Sequence, residues 1–129
     1  MALGFFNVFG RSRDLQRFDA ALREAGLHPR LLPEAVKLTA LKLMRNHACN
    51  VSDAATCQRA ADLLVYCAHG RPVFGETNPE AAVAAVEARL AAAIDAGDSL
   101  DAQLVLLGLN AGIVHPSVIE AFGLEVGAP

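Results

Sequence analysis

The sequence predicts an all-α fold, an irregular bundle of five to six helices in a single domain. Alanine, leucine and glutamate, which favour helices, are frequent, whereas aromatic residues make up only 5% of the chain. Apolar residues recur at helical spacing in several segments, and capping residues, glycines or prolines bound each of these segments. With 129 residues the chain is long enough for one domain with a substantial core.

Two amphipathic helices are predicted at the start of this domain. Ser12 is a suitable N-cap for a helix over residues 13–25, and Gly26 ends it. After a short turn, a second helix begins at Pro33 and runs to about Asn46. It has one apolar stripe and three basic residues on its other sides: Val36, Ala40, Leu43 and His47 in the stripe, and Lys37, Lys42 and Arg45 outside it.

The segment His47–His69 contains all three cysteines and the only tyrosine. Ser52 is the predicted N-cap of a helix that runs to His69, where Gly70, in a left-handed C-cap conformation, and Pro72 end it. Apolar residues cover most of the circumference: Ala54, Cys57, Ala60, Ala61, Leu63, Leu64, Val65, Cys67 and Ala68. The remaining wedge is polar: Gln58, Arg59, Asp62, Tyr66 and His69. We expect this central helix to be buried on two sides and exposed on the third.

Residues 71–78 are predicted to form a non-helical link. A long helix follows and ends at Gly97. Two caps are compatible with its start: Thr77 paired with Glu80 in a capping box, or Asn78 ahead of Pro79. Its apolar stripe consists of Val83, Val86, Leu90 and Ile94. Alanines make its other sides smooth, which permits close packing against another helix.

Two shorter helices complete the predicted bundle. Asp98 or Ser99 caps a helix over residues 100–110, which is nearly all apolar and is expected to be a second core helix. Five large apolar residues give it this character: Leu104, Val105, Leu106, Leu107 and Leu109. A last helix covers residues 115–122, and residues 124–129 are expected to be a mobile tail.

Residues 1–10 form an apolar segment and are the predicted interaction element. Phe5, Phe6 and Phe9 lie on one helical stripe. The segment lacks the basic region and the cleavage site of a signal peptide. We expect this stripe to pack against the bundle or against a second subunit. Insertion into a membrane surface is the less favoured alternative.

The charge is unevenly distributed along the chain. Residues 1–45 contain eight basic and four acidic side chains, a net charge of +4, whereas the remainder contains three basic and ten acidic ones, a net charge of −7. Neighbouring basic and acidic helices in one fold explain this best; contact between subunits or an anionic partner is the alternative. Nucleic-acid binding is disfavoured, because the chain is acidic overall and has no motif of aromatic and basic residues.

The cysteines of the central helix do not converge on a metal site within that helix; a site across a fold contact, made from His47 or Cys49 and one residue of the helix, is the alternative. Cys57 and Cys67 are separated by about 15 Å along one helix, so they can neither share an ion nor form a disulfide, and we expect both to be buried. His47 is expected to bond the last carbonyls of its helix. An odd number of cysteines without a framework spacing suits the cytoplasm. We therefore expect no metal, no cofactor and a cytoplasmic location.

The function favoured by the sequence is non-enzymatic. No pair of nucleophile and base stands out, so catalysis is less favoured than binding. The phenylalanine stripe and the alanine-rich helix offer more apolar surface than a chain of this length needs to bury. This surplus predicts protein–protein contact, with the chain forming a homo-oligomer. The alternative is a small-molecule or metal-binding helical protein, with four candidate ligand-binding residues: His47, Cys49, Tyr66 and His69.

Overall fold

Seven α-helices make up the described part of the chain, residues 12–124 of the computed structural model. They are α1 (Arg13–Ala25), α2 (Glu34–Asn46), α3 (Ala54–His69), α4 (Arg71–Thr77), α5 (Glu80–Asp95), α6 (Leu100–Ala111) and α7 (Pro116–Phe122). A short 3-10 helix, Pro29–Leu31, connects α1 to α2. No strand occurs in this part of the chain. The all-α prediction is confirmed, with one helix more than the highest predicted number.

Helix α3 lies at the centre of the bundle. It packs chiefly against α1 and α6 and also contacts α4 and α5, while α2 packs against α6. Eight of its 16 residues are buried: Cys57, Ala60, Ala61, Leu63, Leu64, Val65, Tyr66 and Cys67. A helix with so much buried surface needs neighbours on several sides, as the sequence predicts.

Side chains cap the starts of α1, α3 and α6. The hydroxyls of Ser12 and Ser99 each accept a hydrogen bond of 3.1 Å from the backbone N–H three residues further on. The N-cap of α3 is Asp53, so the prediction that Ser52 caps this helix is wrong by one residue. The carboxylate of Asp53 accepts from the backbone N–H of Thr56 at 3.1 Å and from its hydroxyl at 2.8 Å. A carboxylate also stabilises the positive end of the helix dipole.

The predicted link at residues 71–78 is mostly helical, because α4 begins directly after Gly70. Pro72 lies in the first turn of α4, where the backbone N–H has no partner within the helix and the fixed φ of proline suits helical geometry. Gly70 has φ +83° and ψ 169°, so it turns the chain without the predicted left-handed helical conformation. Pro72 therefore starts a helix at a position where the sequence analysis placed a stop.

The two predicted caps of α5 are absent. Thr77 and Asn78 instead donate hydrogen bonds from their side chains to the carbonyl of Ala25, at 3.4 and 3.0 Å. The carboxylate of Glu80 forms an ion pair with Arg71 at 2.6 Å. Helix α5 thus begins without a side-chain cap. The side chains of Thr77 and Asn78 thus stabilise the contact between the end of α1 and the junction of α4 with α5.

Two apolar residues that were predicted in the core are exposed. Ile94 of α5 and Leu106 of α6 have 52% and 53% of their surface accessible to solvent. Helix α5 buries Ala93 beside the stripe of Val83, Val86 and Leu90. Helix α6 is buried on one side only, since Leu104, Val105 and Leu109 lie in the core and Leu106 does not.

Two polar residues that were predicted outside the core are buried. Lys37 is 4% exposed, and its ammonium group donates to Asp19 at 2.9 Å and to the carbonyl of Pro29 at 3.3 Å. Tyr66 is 2% exposed, and its hydroxyl donates to Glu87 at 2.6 Å. Burial of such groups is tolerated because each has hydrogen-bond partners. These partners come from other elements, which a helical wheel cannot show.

The predictions for the two chain ends fall largely outside the described residues. This applies to the phenylalanine stripe of residues 1–10 and to the tail after Leu124. Leu124 itself is half-buried against the core, and its backbone N–H donates to the carbonyl of Ile119 at 2.9 Å. Across residues 12–124, none of the helices combines the length and the apolar character required to cross a membrane.

Candidate functional site

The four predicted ligand-binding residues lie in two separate places. His47 and Cys49 follow the end of α2, and Cys49 lines a cavity of about 390 Å³ together with Thr56 in the first turn of α3. Tyr66 and His69 lie near the opposite end of α3. Thr56 and Tyr66 are ten residues apart, which is about 15 Å along the helix axis. The four side chains therefore do not line one pocket.

The imidazole of His47 connects α2 to α6. It is half-buried, and its Nε2 donates to the side-chain oxygen of Gln103 at 3.0 Å. The sequence predicted that this ring would bond the last carbonyls of α2. The backbone N–H of His47 makes those contacts instead, with Leu43 and Met44 at 3.1 and 3.2 Å. His47 thus stabilises a contact between helices.

The cavity beside Cys49 has a polar wall that is occupied by internal contacts. Arg89 donates from Nε and Nη2 to both carboxylate oxygens of Asp101, at 3.0 and 2.8 Å, and from Nη1 to the carbonyl of Arg59 at 2.9 Å. All three guanidinium nitrogens are therefore engaged, and Asp101 balances the charge. No group of three or more His, Cys, Asp or Glu residues within 12–124 is placed to hold a metal ion. The remaining polar lining consists of the half-buried thiol of Cys49, the exposed side chain of Arg59 and the hydroxyls of Thr56 and Ser99, which already bond at the starts of their own helices.

The other two thiols are fully buried, as the sequence predicts. Cys57 and Cys67 are each 0% exposed. Burial raises the pKa of both thiols, and it raises the pKa of Cys67 to about 12 although the charge of Arg89 acts in the opposite direction. The Sγ of Cys57 donates to the carbonyl of Val51 at 3.2 Å. Such thiols stay protonated near neutral pH and are poor nucleophiles.

Tyr66 lines a cavity of about 480 Å³ between α3, α4, α5 and α7. Its hydroxyl donates to one oxygen of the Glu87 carboxylate at 2.6 Å, and Arg71 donates to the other oxygen at 3.4 Å. Burial, and then the hydrogen bond to Glu87, raise the pKa of Tyr66, so its hydroxyl stays neutral. Tyr66, Glu87 and Arg71 satisfy one another, which favours a structural role for these three residues.

Two histidines near this end of α3 lack a catalytic arrangement. The Nδ1 of His115 accepts from the backbone N–H and the hydroxyl of Ser117, at 3.1 and 2.8 Å, which is the N-cap of α7. Catalytic triads instead use a histidine that a carboxylate orients towards the nucleophile. His69 is half-buried, and its Nε2 is buried without a hydrogen-bond partner in the described part of the chain. The ring of His115 thus serves as a helix cap, and that of His69 has no partner among the described residues.

An apolar groove of about 290 Å³ lies between α5 and α6 on the surface, and we call it the α5–α6 groove. Its walls are entirely apolar residues and glycine: Leu90, Ala93, Ile94, Gly97, Ala102, Val105, Leu106, Leu109, Gly123 and Leu124. The half-exposed side chains of Ile94 and Leu106 belong to this set. The apolar character of both helices is visible in the sequence, but the sequence analysis placed Ile94 in the apolar stripe of its helix and Leu106 in a core helix.

The outward face of α5 beside this groove carries alanine. Its six exposed alanines are Ala81, Ala84, Ala85, Ala88, Ala91 and Ala92. The two charged residues in the middle of the helix, Glu87 and Arg89, bond Tyr66 and Asp101 on neighbouring helices. No charged side chain is therefore exposed between the two ends of α5. Solvent-exposed helix faces are usually polar, so an apolar face of this length is unusual for a surface that contacts only water.

Comparisons of the chain with protein-family models, with curated proteins and with solved structures find no match in any of the three.

Proposed function

We propose that this protein acts through protein–protein contact, and that it forms a homodimer through the α5–α6 groove and the outward face of α5. The observation that carries this proposal is the exposure of Ile94 and Leu106 at an all-apolar groove. A ligand site made of His47, Cys49, Tyr66 and His69 has less support, since these residues do not share a cavity.

Burial of the two exposed side chains favours association. Complete burial of an isoleucine or leucine side chain contributes about 1.5–3 kcal/mol. Because Ile94 and Leu106 are already half-buried, each should contribute about 1 kcal/mol when a partner covers it. A two-fold dimer covers two copies of each residue, which gives about 4 kcal/mol in total. The alanine face adds further apolar area around this centre.

The size of the surface predicts a weak dimer. Helix α5 has 16 residues and is therefore about 24 Å long, and two packed helices are about 20 Å wide. The resulting footprint is roughly 500 Å² per copy, or about 1,000 Å² for both, at the lower end of specific interfaces. Part of this favourable free energy of association is offset by the translational and rotational freedom that the two chains lose when they associate. We expect an equilibrium between monomer and dimer that shifts with concentration.

A second copy of the chain fits this surface better than a charged partner does. The outward face of α5 is smooth and uncharged, so its best complement is another smooth apolar helix. Small side chains let two helices approach closely, and a two-fold axis places α5 of one copy against α5 of the other. A strongly charged partner would lose hydration on this face without finding a counter-charge.

The test is sedimentation velocity over a wide range of protein concentrations. We expect the wild type to dimerise as its concentration rises, and Ile94→Glu to stay monomeric because a buried unpaired charge opposes association. Leu38→Glu is the matched control, because Leu38 is a 48% exposed leucine on α2, outside the groove. Circular dichroism checks that both variants are folded.

Three results would contradict the proposal. One is a wild type that remains monomeric at every concentration. Another is equal loss of association in Ile94→Glu and Leu38→Glu, which would show that charge alone disperses the chains. The third comes from a variant lacking residues 2–10: if it loses association while Ile94→Glu retains it, the interface is the phenylalanine stripe.

A further inference from the structure

A cavity of about 250 Å³ lies between α1, the 3-10 helix and α2, and it shares no residue with the α5–α6 groove. Six residues line it: Asp19, Arg23, His28, Pro29, Arg30 and Lys37. Four of the six are basic and one is acidic. We propose that this basic pocket binds the phosphate group of a small phosphorylated molecule.

Arg23 and Arg30 provide the free positive charge of the pocket. Both side chains are exposed, and neither forms an ion pair with any residue of the described chain. In contrast, Arg17 and Arg45, which belong to the same basic N-terminal part of the chain, both form ion pairs with Asp14, at 2.9 and 2.8 Å. An unpaired guanidinium keeps five N–H donors in a planar fork, a shape that matches the oxygens of a phosphate.

Lys37 and Asp19 form the buried wall of the pocket. Their ion pair of 2.9 Å is nearly removed from solvent, with side chains that are 5% and 13% exposed. The ammonium group of Lys37 also donates to the carbonyl of Pro29, which leaves one of its three N–H groups for another acceptor. The charges of this pair cancel, so the pocket has a net charge of +2 from the two arginines when His28 is neutral.

His28 adds a donor with a defined orientation. Its Nδ1 accepts from the backbone N–H of Arg30 at 3.1 Å. In the neutral ring the hydrogen is therefore on Nε2, which can donate to a ligand. Pro29 fixes the backbone between His28 and Arg30 at the start of the 3-10 helix. The backbone of this segment and the imidazole of His28 are therefore held in place before a ligand arrives, which reduces the entropy lost on binding.

The charge and the volume together indicate the class of ligand. A phosphate monoester carries a charge of about −1.5 to −2 at neutral pH, which balances the two arginines, whereas a single carboxylate brings only one charge. The cavity is smaller than the roughly 300–1,000 Å³ of sites for drug-sized ligands, so it suits a phosphate with few attached atoms. The basic excess of residues 1–45 agrees with an anionic partner in this part of the fold.

The test is a nuclear magnetic resonance titration of the full-length protein with inorganic phosphate and with methyl phosphate, at constant ionic strength. We expect saturable shifts of the backbone amides from Gly26 to Leu32. Arg23→Gln and Arg30→Gln should each weaken binding at least about tenfold, because each removes charge-assisted hydrogen bonds. Lys42→Gln is the control, since it removes the same charge from an exposed site on α2 outside the cavity.

The alternatives give different results. Shifts that do not saturate, or equal weakening by Lys42→Gln and Arg30→Gln, would mean that phosphate responds only to the overall charge, and the site would be refuted. Succinate that binds as tightly as phosphate would refute the assignment to a phosphate group. Because both arginines are exposed, thermal melts of their variants should match the wild type, and a large loss of stability would show a structural role instead.

Discussion

Substitution of Cys67 by alanine should reduce the loss of stability that we expect in alkaline solution. Cys67 is 0% exposed on α3, and burial raises the pKa of its thiol from 9.0 to about 12, with the charge of Arg89 opposing this shift. A group with a raised folded-state pKa contributes stability that is fully present below its unfolded-state pKa and is lost as the pH rises through the folded-state value. For Cys67 this window extends from pH 9 to about pH 12.

The magnitude follows from the two pKa values. In the unfolded chain the thiol ionises near its ordinary pKa of 9.0, whereas the folded chain keeps the proton up to about 12. Each pH unit in this window lowers the free energy of unfolding by about 1.4 kcal/mol. At about pH 10.5, one and a half units above the unfolded-state value, Cys67 alone should therefore account for a loss of about 2 kcal/mol.

The assay is urea denaturation of wild type and Cys67→Ala at about pH 7.5 and about pH 10.5, with a reductant present. The wild type should lose about 2 kcal/mol more than Cys67→Ala between these two conditions, because other ionising groups affect both proteins equally. Val65→Ala is the control, since Val65 is also 0% exposed on α3 and cannot ionise. It should be less stable than the wild type at both pH values by the same amount.

One outcome would refute this reasoning about Cys67. If the wild type and Cys67→Ala lose the same free energy between the two pH values, the thiol ionises alike in the folded and unfolded chains. Solvent would then have to reach Cys67, and α3 would not be buried on that side.

Two further predictions concern contacts between helices, and urea denaturation measures both. Tyr66→Phe should lower the free energy of unfolding by about 1.5–3 kcal/mol, because it removes a hydrogen bond of 2.6 Å to the charged carboxylate of Glu87; unchanged stability would show that this bond contributes nothing. Gly26→Ala should cost more than about 1 kcal/mol, because Gly26 has φ +105° and a Cβ there would collide with the hydroxyl of Thr77. In Gly97→Ala no atom lies within 4 Å of the new Cβ, so a cost as large as that of Gly26→Ala would contradict the steric argument.

Predictions succeeded where the deciding interactions act over three or four residues. Ser12 caps α1 and Gly26 ends it in the left-handed conformation, as the sequence indicates. The start of α6 at Ser99 and the end of α7 at Gly123 follow the same rules. Predictions failed where a short stretch of sequence is compatible with more than one local structure. Pro72 is compatible with a stop and with a first helical turn, and packing against the bundle selected the helix.

Burial could be predicted only in part, because helical periodicity shows which residues share a face but not which face meets a neighbour. Lys37 is buried since Asp19 and Pro29, on other elements, supply its partners. Ile94 continues an apolar stripe and Leu106 belongs to a nearly all-apolar helix, yet both are exposed, because no other element of the described chain covers the groove between their helices.

The sequence by itself determined the all-α class, most of the helix ends and the apolar character of α5 and α6. These properties depend on backbone hydrogen bonding, capping and composition, all of which are local. Only the tertiary structure decided where the two candidate sites lie. The α5–α6 groove combines residues from Leu90 to Leu124, and the basic pocket combines residues from Asp19 to Lys37. Such groups of residues come together only when helices pack, so spacing along the chain does not reveal them.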